Sequence, residues 1–180
     1  RCSVHAGMGA NLSTAAQGIP TILHGLMLSG CYDIPAIKED VYGVYTNTVP
    51  VEAYRGAGRP EATFMIERLI DLFAAELGMD PIDVRRKNFM PRFEDGHDTV
   101  TGLTYDSGDY PAALTKALYH VDYSGLRTEQ AKARENNRYL GVGVSSYVEI
   151  CGLGPSQVAG AIGFQGGLWE SAIVRFHPTG

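Results

Sequence analysis

Ala53 to Ala62, AYRGAGRPEA, sets two arginines (Arg55, Arg59) and two glycines (Gly56, Gly58) in a short loop that runs straight into a helix-forming segment. Glycine leaves room for a backbone to approach a ligand closely, and its φ freedom lets successive N–H groups converge. Arginine brings a planar fork of donors matched to phosphate, carboxylate or oxo groups. A loop of this kind at a helix N-terminus can hold an anionic group. The same residues also suffice for plain helix entry, with Pro60 at N1 and Glu61 complementing the helix dipole. Both readings stand at this level.

The elements that would position the loop are legible around it. Val41 to Val49 is β-branched and aromatic and reads as a strand leading into the loop. After it, residues 61–77 read as a helix, with Phe64, Ile66, Leu69, Ile70, Leu72, Phe73 and Leu77 on a broad apolar face and Gly78 as its stop. Asp80 and Pro81 open a second helix as N-cap and N1. Its last turn carries Arg85, Arg86 and Lys87, where cations suit the dipole. Two helices joined by a tight turn would buttress the loop from behind.

Elsewhere, residues 7–30 carry apolar side chains at helical spacing, with Pro20 in the first turn or kinking the helix. Pro91 to Tyr105 reads as a connecting loop or domain boundary. Asp109-Tyr110-Pro111 opens a helix to about His120, and a charged helix follows from Ser124 to Asn136. Residues 139–149 read as a strand, residues 152–167 as an irregular glycine-rich stretch, and residues 168–177 as a further strand. Gly141-x-Gly143 fails as a dinucleotide fingerprint, since the third glycine and the following helix are both missing.

Composition narrows the function classes. The 180 residues are 44% hydrophobic and 19% charged, with a net charge of −5, as in an ordinary globular chain. Without a basic run, nucleic acid is not an expected partner. The lack of a signal peptide and of any bilayer-length apolar stretch leads to the expectation of a cytoplasmic protein, at most peripheral at the inner face of a membrane. Cys2, Cys31 and Cys151 lie outside any CxxC or CxxH spacing, and the five histidines are scattered, so no protein-ligated metal site is expected. The start at Arg1 and the turn-like His177-Pro178-Thr179-Gly180 give the expectation of an internal piece of a longer protein.

Tyr45-Thr46-Asn47-Thr48-Val49-Pro50-Val51-Glu52, followed by AYRGAGRPEA, resembles the molybdopterin-binding large subunit of molybdenum hydroxylases. That family comprises the xanthine dehydrogenases, aldehyde oxidases and aerobic carbon monoxide dehydrogenases. Ile66 to Met90 resembles the helical segment after the family's loop, and Tyr32-Asp33-Ile34-Pro35 the segment before its strand. Gly141 to Ser156 and Arg175 to Gly180 resemble later strands of the carbon-monoxide-dehydrogenase-like branch. The resemblance covers essentially the whole chain, in order.

It implies an α/β (α+β) fold, with residues 1–92 the end of a first molybdopterin-binding domain and residues 93–180 the start of a second. It implies molybdenum held by a molybdopterin dinucleotide of the cytosine form. Oxidation of an aldehyde or N-heterocyclic carbon with water-derived oxygen is the implied reaction, with electrons leaving through [2Fe–2S] centres to FAD. Those groups would sit on an iron–sulfur small subunit and an FAD medium subunit, in a dimer of heterotrimers. The chain alone would not be active.

Residue by residue, the resemblance puts Arg55, Gly56 and Ala57 at the cofactor, with backbone N–H groups as donors. It puts Ala57, Gly58, Arg59, Ser146 and Tyr147 around the substrate. Copper-containing carbon monoxide dehydrogenases have a cysteine directly after the loop arginine, where this chain has Gly56, so copper and CO are not expected. Purine-oxidising members carry an aromatic where Ala57 stands, a second one near Ser146 or Tyr147, and an arginine at Leu23 or His24. A purine sandwich is therefore not expected either. The family's catalytic glutamate and pterin loops have no counterpart. Glu149 remains as a candidate acid–base residue beside its structural reading as a satisfied carboxylate. Two alternatives accompany the enzyme reading: a form-II-type carbon monoxide dehydrogenase large subunit, and a non-catalytic relative acting as a binding or scaffold module.

Overall fold

The computed structural model describes residues 1–152, 156–161 and 171–179. It forms two compact units, residues 1–148 and 149–180. The first unit opens with β1 (Cys2–Gly9), which pairs in parallel with β2 (Glu39–Tyr45), from Cys2 opposite Glu39 to Gly7 opposite Val44. A bulge between Gly7 and Gly9 interrupts the ladder, which closes with Gly9 opposite Tyr45. The crossover holds a 3-10 turn (Ala16–Gly18) and a π-helical turn (Ile19–Leu23) with Pro20 in its first turn.

This corrects the helix expected over residues 7–30. Small residues at Ala6, Gly7 and Gly9 let β1 pack closely on its neighbour, and helical structure begins only at Ala16. The strand expected at residues 41–49 is β2, which starts two residues earlier and stops at Tyr45. Beyond it the chain turns alongside the end of β1, where Thr46 donates its N–H to the Gly9 carbonyl at 3.1 Å.

Helix α1 (Arg59–Leu77) and helix α2 (Pro81–Asn88) form as expected. Gly78 closes α1 in the left-handed region at φ 63°, which no β-carbon hinders. The Asp80 side chain accepts the Ile82 N–H at 2.8 Å, capping α2. Helix α3 (Tyr110–His120) is capped by Asp109, and α4 (Tyr123–Glu135) by Asp122. The expected loop before Tyr105 contains a small antiparallel hairpin, β3 (His97–Asp98) and β4 (Thr104–Tyr105). Thr101 and Tyr105 tie it to the chain after the π-helical turn through the Leu26 and Gly30 carbonyls, at 2.7 and 3.0 Å.

The core gathers Cys31, Tyr32, Ile66, Ile70, Ile82, Phe89 and Leu114. Each large apolar side chain so buried contributes about 1.5–3 kcal/mol before entropy is counted. Tyr32 stacks on Phe89 with ring centroids 5.4 Å apart. Only part of the α1 apolar face takes part. The buried stripe is Ala62, Ile66, Glu67, Ile70 and Ala74, whereas Phe64 and Leu69 are 73% and 58% exposed. Of the seven side chains on the apolar face expected from the sequence, only Ile66 and Ile70 are buried, and the other five have no cover among the described residues.

Residues 139–149 form no strand. Leu140, Val142, Val144, Ser146 and Val148 are half-buried and alternate with exposed residues, so the pleat is present without a ladder among the described residues. In the second unit, Ser156–Ala161 form helix α5, so the stretch expected to be irregular contains a helix. Residues 171–177 form no strand, and the remaining parts of those two expectations, residues 153–155 and 162–170, lie outside the described residues. No described helix is long and apolar enough to cross a membrane.

Candidate functional site

The loop Arg55–Gly58 is a turn that delivers the chain into α1. Ala57 donates its N–H to the Tyr54 carbonyl at 2.9 Å, and Arg59 donates to the Gly56 carbonyl at 3.1 Å. Gly56 and Gly58 sit at φ +98° and +87°, where a β-carbon is strained. Gly58 also lies flat on the π-helical turn: a β-carbon there would come 2.4 Å from the Ile19 carbonyl oxygen and 2.9 Å from the His24 nitrogen. Local sequence thus produces a fixed corner, with glycine required at both points.

Electrostatics at this corner favour an anion. Among the described residues, no backbone acceptor takes the N–H of Arg55 or Gly56, and the Arg55 side chain is exposed. The first turn of α1 lies directly behind, with its own forward-pointing N–H groups. Ala57 differs from the expectation that its N–H faces a ligand, because Tyr54 already holds it. Arg59 turns one guanidinium nitrogen back to the Ala57 carbonyl at 3.3 Å. A molybdopterin group, rich in oxo and phosphate oxygens, matches the donors that remain. No cluster of side chains among the described residues would itself hold a metal ion.

The loop also closes one end of an apolar groove of about 940 Å³ between β1 and the uncovered face of α1, with Met8, Ile19, Phe64 and Leu69 in its walls. His24 lines it too. Its Nδ1 faces the Glu39 Oε1 at 2.5 Å inside the protein, without the angle of a good hydrogen bond.

Ser146 is tied to the same helix that begins at the loop. The Ser146 N–H is held by the Glu67 carboxylate at 2.9 Å, about 12 Å along α1 from Arg59 at 1.5 Å per residue. Ser146 is half-buried, and Tyr147 is 67% exposed. Glu149 is exposed and belongs to the second compact unit.

Sequence reasoning missed the polar centre beneath these residues. Arg85, read as a dipole-complementing cation, is fully buried. Its Nε and Nη2 donate to Glu67 Oε2 at 3.0 and 2.8 Å, and its Nη1 to Asp71 at 2.9 Å. The Tyr32 hydroxyl donates to the other Glu67 oxygen. Burial pulls the Arg85 guanidinium down, but the bonds and charge of Glu67 outweigh it and hold the group above its ordinary range. Burial, reinforced by the bond to Glu67, pushes the Tyr32 phenol far up. The available signal was positional: Glu67 falls inside the stripe Ala62–Ile66–Ile70–Ala74.

Comparison with known proteins identifies the class. Residues 1–89 match the molybdopterin cofactor-binding domain, and the chain belongs to the molybdenum hydroxylase large-subunit family. It is 42% identical over 157 residues to the carbon monoxide dehydrogenase large chain of Hydrogenophaga pseudoflava, covering 84% of this chain and 19% of that one. Reconstituted CO dehydrogenase from Oligotropha carboxidovorans superposes with a TM-score of 0.75 at 35% identity, over 85% of this chain and 20% of that one. Quinoline 2-oxidoreductase from Pseudomonas putida 86 gives 0.73 at 30% identity, over 79% and 18%. The chain therefore spans about a fifth of the length of these relatives, and its mixed helix-and-strand fold is theirs.

Proposed function

We propose that the chain is part of the catalytic large subunit of a molybdenum hydroxylase that oxidises an aldehyde or an N-heterocyclic carbon. Bound there, the molybdenum cofactor would supply the two-electron oxidation with water-derived oxygen. The chain's own residues would seat and orient it. Arg55 would donate from its side chain and its N–H, and Gly56 from its N–H, to anionic oxygens of the cofactor. Ala57, short of side-chain bulk, would leave open the space for substrate beside Arg59, while Gly58 would hold the corner against the π-helical turn and Ser146 and Tyr147 would be further substrate contacts.

The observation that carries the substrate class is the backbone at Gly56. At φ +98° a cysteine would be strained, and its β-carbon would meet the Pro60 ring at 2.9 Å. The loop is shaped for glycine, which supports chemistry without a copper-bridging thiol. The form-II-type carbon monoxide dehydrogenase remains the second reading, favoured by the 42% identity to a carbon monoxide dehydrogenase large chain. The reading of another class, a non-catalytic scaffold, is less favoured because the N–H groups of Arg55 and Gly56 have no backbone acceptor among the described residues and are open to a ligand.

The finer assignments follow the family. The end of the family match at residue 89 supports a first molybdopterin-binding domain over residues 1–92 and the start of a second over residues 93–180. The cofactor is read as the cytosine dinucleotide. Iron–sulfur and FAD subunits are read as partners in a cytoplasmic dimer of heterotrimers, and Glu149 as a secondary candidate for acid–base work. A substrate panel on the full-length complex tests the reading. Turnover of an aldehyde or N-heterocycle without copper supports it, and CO-dependent dye reduction with stoichiometric copper overturns it.

A further inference from the structure

Val144 and Ser146 are two residues apart in an extended segment, so their backbone groups face the same edge. In a sheet, a neighbouring strand would donate to the one carbonyl and accept from the other N–H. Here two buried side chains do so. Arg85 Nη2 donates to the Val144 carbonyl at 2.9 Å, and Glu67 Oε2 accepts from the Ser146 N–H at 2.9 Å. The two groups are bound to each other at 2.8 Å, and Tyr32 and Asp71 hold their far sides. Gln130 Nε2 extends the same edge by donating to the Leu140 carbonyl at 2.8 Å.

We propose that Glu67 and Arg85 are positioning residues that stand in for a neighbouring strand along residues 144–146, fixing the register in which Ser146 and Tyr147 meet substrate. The step from register to substrate rests on the function proposed above, whereas the register itself does not. A one-residue slip would exchange the half-buried and exposed sets, turning Ser146 outward and Tyr147 inward. The paired charges oppose such a slip because a shifted segment would offer them the wrong backbone groups. Each would then be buried with an unmet bond.

The test is residue-resolved amide hydrogen exchange on the full-length complex, followed by steady-state kinetics. In the wild type, the Ser146 amide exchanges at least about tenfold more slowly than those of Ser145 and Tyr147. Equal rates overturn the proposal. In Glu67→Gln, which keeps the shape but loses the charge, and in Arg85→Lys, which keeps the charge but loses the fork, the Ser146 amide speeds up about tenfold. KM rises in both variants while kcat and molybdenum content stay near wild type.

A folded variant with wild-type exchange at Ser146, or with faster exchange and unchanged KM, also overturns the proposal. Should neither variant assemble, the wild-type exchange pattern decides. A wild-type phenotype for Arg55→Ala would remove the proposed cofactor loop but leave the exchange result intact, so the two failures are distinguishable.

Discussion

Gly58 rests against Ile19 so closely that a β-carbon on it would stand 2.4 Å from the Ile19 carbonyl oxygen. The proposed cofactor loop is thus set by the π-helical turn beneath it as well as by its own sequence. Gly58→Ala combines a left-handed backbone with a clash and should cost about 2–4 kcal/mol. Gly78→Ala has the backbone strain with open space around it and should cost about 1 kcal/mol. Urea denaturation of the two variants reads the difference. Equal losses would mean that the contact with Ile19 does not constrain the loop.

Arg55 is exposed, so its removal should leave the fold untouched. Arg55→Ala in the full-length complex is expected to lower turnover by about 10²-fold, with subunit assembly unchanged. Wild-type kinetics in that variant would take Arg55 out of the site.

Breaking the buried pair should be costly in stability. Arg85→Met leaves the Glu67 charge uncompensated inside the core, and Glu67→Leu leaves the buried Arg85 with only the partly exposed Asp71, each at about 3–5 kcal/mol. The double variant removes both charges and should recover at least half of that loss. A double-mutant cycle by thermal unfolding measures the coupling, and strictly additive losses would contradict the pairing.

Much of this fold is readable because its signals are local. Asp80 with Pro81, Gly78, and Asp109 mark helix ends within a few residues of the bonds they make. β1 is not readable in that way: its partner Glu39 lies 37 residues from Cys2, and small residues blur its alternation. The loop's glycine requirement was legible as composition, but the reason for Gly58 lies in Ile19 and His24, distant in sequence. Glu67 and Arg85 look like ordinary helix-surface charges, and their partnership emerges only when α1 and α2 pack. Most of the α1 apolar face stays exposed because amphipathicity specifies a face and leaves its partner unstated.

Alkaline pH should loosen the core. Burial pushes the Cys31 thiol from 9.0 to about 12, and it pushes the phenols of Tyr32, Tyr105 and Tyr110 up as well. The folded state therefore binds protons that the unfolded chain releases first. The resulting stability is fully present below pH 9 and is lost as pH rises towards 12 and beyond. The urea midpoint should be flat from neutral pH to about 9 and then fall, and Cys31→Ala should make the early part of that fall shallower. Native Cys31 should also resist alkylation near pH 8, since it is buried and protonated.

Metal and nucleotide analysis of the purified full-length complex tests most directly whether this chain seats a molybdenum cofactor without copper. The expected result is about one molybdenum per large subunit, a releasable pterin-derived nucleotide, and no stoichiometric copper. A complex without molybdenum, or one carrying equal molybdenum and copper, would contradict a copper-free molybdenum site.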